Sequence, residues 1–151
     1  MPMRFRYQSF QAPHPLWQLG GKSTRVRPVL TVTAIGPSGT AVRAGLLDTG
    51  ADDTVFSTDV AAKLGIDLSQ APQIVSSGVG LVAATVYLAE VQLRITDGRE
   101  QREWTARVGF TTAPLKRALL GIAGFLEYFD ATFFGDREEV ELTVNSLYRG
   151  T

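Results

Sequence analysis

The chain has 151 residues, of which 44% are apolar and 20% charged. That composition suits one folded domain rather than a disordered segment, and the length is enough to bury roughly two-thirds of the unfolded surface. Fifteen Lys and Arg balance fifteen Asp and Glu, giving a formal net charge of zero, so no general attraction to nucleic acid or an anionic membrane is expected. The absence of cysteine excludes thiol catalysis, disulfides and cysteine metal sites. The one histidine, His14, lies between Pro13 and Pro15 and would have to carry any Ser-His-Asp triad by itself. No run approaches the roughly 18 apolar residues of a transmembrane helix. Met1 to Trp17 also lacks the apolar core of a signal peptide, so a cytoplasmic protein with no membrane partner is expected.

Residues 1–27 read as an N-terminal extension ahead of a domain over residues 28–151. Met3 to Phe10 can form a strand that Pro13 and Pro15 end, and a loop with Gly20-Gly21-Lys22-Ser23 follows. Val29 to Ile35 is rich in β-branched residues and predicts a strand, Gly36-Pro37-Ser38-Gly39 a turn, and Thr40 to Leu47 the returning strand. A polar loop, Asp48 to Asp53, separates it from the apolar Val55-Phe56. Ser57 as N-cap, Asp59 in the first turn and Gly65 as terminator predict a helix over 58–64. Ile74 to Leu81, with Gly78 and Gly80, reads as a hairpin tip. Val82 to Ile95 and Arg102 to Phe110 predict long strands joined at Thr96-Asp97-Gly98. Phe125 to Tyr128 suits a helical turn, and Phe129–Phe133 with Val140–Val144 a last hairpin. The sum is a mainly β chain with one or two short helices, in a small barrel or sandwich.

Three motifs compete for chemistry. Gly20-Gly21-Lys22-Ser23 looks like the end of a phosphate-binding loop, but Leu16 stands where the first glycine belongs and a strand follows where a helix is required. Gly78-Val79-Gly80 lacks the third glycine of a dinucleotide fingerprint, with Ala83 in its place, and no βαβ unit surrounds it. Asp48, Asp52 and Asp53 offer oxygens to a hard cation, but without EF-hand spacing. The plain alternative is a turn rich in solvated carboxylates.

Context decides the third case. Asp48 follows Leu46-Leu47 and precedes Thr49-Gly50. A carboxylate that leaves a buried strand is partly desolvated, and Gly50 lets the backbone turn and come close to a ligand. The string Gly45-Leu46-Leu47-Asp48-Thr49-Gly50-Ala51-Asp52-Asp53-Thr54-Val55-Phe56 resembles the active-site signature of retropepsin-like aspartic proteases, the family that includes retroviral proteases. That family's second element, two apolar residues and a glycine on a strand beside the aspartate loop, is matched by Leu119-Leu120-Gly121. Ser76 to Leu81 stands where the family carries its flap, and Phe125 to Val144 where it has a short helix and terminal strand pair. The resemblance covers about residues 28–145. Two departures are visible: Ile122 occupies the position where viral members often have an arginine, and Ala123-Gly124 precede Phe125-Leu126 where cellular members often place Asp or Asn.

The resemblance implies a retropepsin-like closed β-barrel or sandwich with a glycine-rich flap hairpin, assembled as a twofold homodimer. The chain contains one Asp-Thr-Gly, and the chemistry needs two carboxylates sharing one proton around a water, as in aspartic proteases generally. The implied activity is that of an aspartic endopeptidase with Asp48 as catalytic residue and Thr49, Gly50 and Ala51 completing its loop. Asp52, Asp53 and Val55, with Ser77, Gly78, Val79, Gly80 and Leu81 of the flap, are implied to bind a peptide as an added strand. Leu119, Leu120 and Gly121 are implied to support the loop from behind. No cofactor, metal or nucleic acid is expected. The alternatives are a catalytically weak dimeric peptide-binding module of the same fold and, further off, a metal-binding β domain.

Overall fold

The computed structural model describes residues 1–77 and 83–151. Alternating apolar and polar residues build most of them into hairpins. β1 (Met3–Arg6) and β2 (Gln8–Gln11) open the chain, and β3 (Thr24–Arg27) returns along β2. β4 (Val29–Ile35) and β5 (Thr40–Leu47) form the predicted hairpin, closed by Gly36 N–H donating to the Gly39 carbonyl at 3.0 Å. β6 (Val55–Ser57) leads into α1 (Thr58–Leu64), and β7 (Gln73–Ser77) follows. β8 (Ala83–Thr96) and β9 (Gln101–Thr111) form the longest hairpin, then come β10 (Ala118–Leu120), β11 (Phe129–Phe134) and β12 (Glu139–Val144).

The order β4-β5-β10-β6-β9-β8 closes on itself because β8 also pairs with β4, through Thr33↔Arg94 to Ile35↔Gln92. The result is a closed barrel, with β7 added along β8. Closure leaves few free sheet edges, which is how small β domains avoid edge-to-edge association. One face of each strand fills the interior with Leu30, Val32, Phe56, Leu93, Ile95 and Phe110. Burying a side chain of this size contributes about 1.5–3 kcal/mol. Among the described residues no helix is long and apolar enough to cross a membrane.

The helix obeys its predicted bounds, and Gly65 ends it in the left-handed conformation (φ 76°), which glycine adopts without a Cβ penalty. Ser57 does occupy the N-cap position, yet its hydroxyl makes no capping bond. It donates instead to the Asp59 carboxylate, which also accepts from Arg43 Nη2 at 2.8 Å. These two bonds, the serine's first, hold the Asp59 pKa below the ordinary carboxylate value.

The N-terminal segment is folded onto the barrel. Where one strand over Met3–Phe10 was expected, there are two, because the chain changes partner at Tyr7: β1 pairs with β12 and β2 with β3. β1, β12 and β11 make a three-stranded sheet, and Met3 is 1% exposed within the core. Gly20-Gly21 close a single 3-10 turn over Trp17–Leu19, and a strand, β3, rather than a helix follows Lys22-Ser23.

Candidate active site

The site is organised by β10. It runs parallel to β5 and antiparallel to β6, with Leu119 opposite both Leu46 and Val55. The loop from β5 to β6 must therefore pass around the end of β10, and Asp48 is the first residue of that passage. Asp48 N–H donates to the Leu120 carbonyl at 3.1 Å, so the catalytic candidate is fixed to the inserted strand. Ile122 N–H donates to the Ala51 carbonyl (3.0 Å) and Ala123 N–H to the Asp52 carbonyl (2.9 Å), extending the stitching to the far side of the loop.

Gly121 is where the two segments come closest. A Cβ there would stand 2.6 Å from the Ala51 carbonyl oxygen and would also overlap the Asp53 carbonyl. No side chain fits, which is the physical reason for glycine after Leu119-Leu120. Within the loop, Asp48 Oδ1 accepts the Gly50 N–H at 2.9 Å and the Asp48 carbonyl accepts the Ala51 N–H at 3.1 Å. These bonds make a local turn of the Asx kind and hold the carboxylate at the loop mouth. Asp48 is half-buried, while Thr49 and Gly50 form the exposed tip.

The other expected residues divide in their placement. Asp52 is exposed and Asp53 half-buried beside the loop, and Val55 is 7% exposed, on the opposite face of β6 from Phe56. Leu120 and Gly121 are buried and Leu119 is half-buried on β10. Ser77 ends β7, and Gly78, Val79, Gly80 and Leu81 lie outside the described residues. Among the described residues no group of three or more His, Asp or Glu converges as a metal cage, the Asp48–Asp53 loop included.

Two supporting residues escaped the sequence reading. Thr54 is 0% exposed; its Oγ1 and its N–H both donate to the Ala123 carbonyl, at 2.8 and 3.1 Å, and its carbonyl accepts Gly109 N–H at 2.8 Å. It joins the loop to the segment after β10 and to β9. Trp104 Nε1 donates to the Gly124 carbonyl at 3.0 Å, while its ring meets Phe125 and Phe129 edge-on at 5.3 and 5.2 Å. Trp104 thus anchors the Ile122-Ala123-Gly124 segment, where this chain departs from its resemblance. The one signal for Thr54 was a hydroxyl directly ahead of the apolar Val55-Phe56. Trp104 carried none, because its partner is 20 residues away.

A family model described as aspartyl protease matches residues 30–122, more than half of the 151. The chain belongs to the aspartyl protease family. Comparison with curated proteins finds no match. Among solved structures, this chain is similar to a retropepsin-like aspartic protease from Rickettsia conorii, at 19% identity and TM-score 0.48, covering 91% of this chain and 94% of that one. It is also similar to the EIAV protease in complex with an inhibitor, at 23% identity and TM-score 0.37, covering 63% and 81%. The matched family segment begins in β4 and ends just past Gly121, so it takes in the aspartate loop and the strand that the loop surrounds.

Proposed function

We propose that this protein is an aspartic endopeptidase that works as a homodimer, with one Asp48 from each subunit. The observation that carries the reading is the seating of Asp48: half-buried at the end of β5, hydrogen-bonded through its backbone to Leu120, and followed by an exposed Thr49-Gly50 tip. One chain supplies one such carboxylate, and twofold symmetry supplies the second facing the first. Exposure of the tip, and of Ile122 (43%) next to Gly121, leaves that face open to a second copy.

In the dimer one Asp48 carboxylate takes a proton from a water held between the pair. The water oxygen bonds to the peptide carbonyl carbon, and the carbonyl oxygen takes a proton from the other, protonated Asp48. The gem-diol intermediate then collapses: the Asp48 that took the water's proton gives it to the departing nitrogen, the other Asp48 takes a proton from a gem-diol hydroxyl, the C–N bond breaks, and the pair is left again with one proton. Two carboxylates about 3 Å apart cannot both ionise cheaply, so the pair holds one proton and titrates as a unit. Thr49 would steady the two loops across the axis. Gly50, Ala51, Asp52 and Asp53, with Val55 and the Ser77–Leu81 segment, would bind the substrate as an extended strand.

A peptide-library cleavage profile, run beside Asp48→Asn, tests this. We expect pepstatin-sensitive cleavage that the substitution abolishes while the fold persists. Turnover by the variant above a few per cent of wild type would remove Asp48 from its role. Binding without cleavage by the wild type would favour the peptide-binding module instead.

A further inference from the structure

A cleft of about 570 Å³ opens between β2, β3 and the segment just before β10, and its charge is one-sided. Arg25 and Arg27 of β3 line one part, Lys116 and Arg117, just before β10, another, and Phe10 and Leu16 add apolar surface. No acidic side chain lines it among the described residues. In a chain of zero net charge, four cations around one concavity are a local excess that raises the concentration of anions there. Nothing nearby neutralises them: among the described residues none of the four joins an ion pair. Asp59, which shares a neighbouring cleft with Lys116 and Arg117, is held by Arg43 at 2.8 Å.

Two details bear on how the cleft meets an anion. Arg27 Nε is buried and meets no hydrogen-bond acceptor among the described residues, so no carboxylate of the described chain holds this guanidinium through Nε. The Arg117 guanidinium lies 4.4 Å over the Phe10 ring, which fixes the planar donor group and lowers the entropy lost on binding. Both linings lead to the candidate catalytic loop. Arg27 precedes Pro28, whose carbonyl accepts the Leu47 N–H at 2.9 Å, and Arg117 precedes the strand whose Leu120 carbonyl accepts the Asp48 N–H at 3.1 Å. At roughly 3.3 Å per residue, the three steps from Arg117 to Leu120 span about 10 Å. That is the reach of two or three residues of an extended peptide.

We propose that this cleft is a specificity site for an acidic side chain of the substrate, Glu or Asp, a few residues from the bond that is cut. The inference rests on the endopeptidase reading for its catalytic consequence, but not for the binding itself. The guanidinium forks of Arg25, Arg27 and Arg117 suit a carboxylate, and Lys116 adds an unpaired point charge.

The test uses C-terminally amidated peptide pairs that differ only in Glu against Gln at one position, scanned along the sequence. Binding is measured on full-length Asp48→Asn, and cleavage on the wild type. We expect the Glu peptide to bind about tenfold more tightly at one position, the gain of a charge-assisted hydrogen bond, and the preference to shrink with added salt. Arg25→Glu combined with Lys116→Glu should abolish or reverse the preference for Glu over Gln. If that pair misfolds, Lys116→Gln alone should weaken the preference in part. Equal binding of Glu and Gln peptides at every position, or a preference that survives charge reversal, would overturn the proposal. So would displacement of the Glu peptide by inorganic phosphate at equal concentration, which would mean a free-anion site. If the wild type cuts nothing while the Asp48→Asn chain keeps its charge-dependent preference, the endopeptidase reading fails and the acidic-peptide site stands.

Discussion

At the scale of single residues, the site depends on contacts that leave no slack. The hydrogen of Gly121 faces carbonyl oxygens of the aspartate loop, and a methyl group there would enter the space of the Ala51 oxygen at 2.6 Å. Gly121→Ala should cost about 1–3 kcal/mol, the usual range for overpacking, read as a lower urea midpoint. Its loss of peptide cleavage should exceed what the unfolded fraction explains, because β10 carries the Asp48 backbone bond. Thr54→Val keeps the shape and the N–H bond to Ala123 but removes the hydroxyl donor at 2.8 Å. It should cost about 1 kcal/mol, again by urea unfolding. Asp48 itself was legible from sequence because its neighbours report its burial and its turn. Thr54 and Trp104 were not, because a hydrogen bond to a distant carbonyl leaves no local pattern.

At the scale of elements, the β8–β9 hairpin does more than complete the barrel. Its turn residue Asp97 has a side chain 2% exposed; Oδ1 accepts the N–H groups of Arg99 (2.9 Å) and Glu100 (2.8 Å), and Oδ2 accepts that of Arg4 on β1 (3.1 Å). Burial pushes the Asp97 pKa up, but these N–H groups together with the Arg99 charge outweigh it and hold it below the ordinary carboxylate value. A folded-state pKa below the unfolded one, about 3.9, stabilises fully above that value. The contribution is lost as pH falls through the lower folded value. Asp97→Ala should therefore cost about 1–3 kcal/mol at neutral pH. Below about pH 4 the gap to wild type should narrow, as thermal unfolding over a pH series would record. The hairpin was readable because Thr96-Asp97-Gly98 is turn chemistry between alternating strands. That Asp97 reaches β1 was not readable, since residues 4 and 97 meet only through tertiary packing.

At the scale of the whole molecule, the N-terminal segment and the open loop tip face different tasks. Residues 1–27 read as an N-terminal extension, and within it β1 adds a strand to β12 and buries Met3. Met3→Ala should cost about 2–5 kcal/mol, as truncations of buried long side chains do, which would not hold for a free tail. The closed barrel was visible in outline from strand spacing and the aspartate string. The closure itself, β8 against β4, pairs residues about 60 positions apart (Thr33 with Arg94), and no periodicity announces it. The central claim is that one active site is shared by two chains. It is tested most directly by mixing wild type with inactive Asp48→Asn at fixed total concentration and letting the subunits exchange. A shared dyad requires activity to follow the square of the wild-type fraction, so an equal mixture should retain about a quarter of the wild-type rate. Retention of about a half, a straight line through all mixtures, would mean that each chain carries a complete site and would contradict the account.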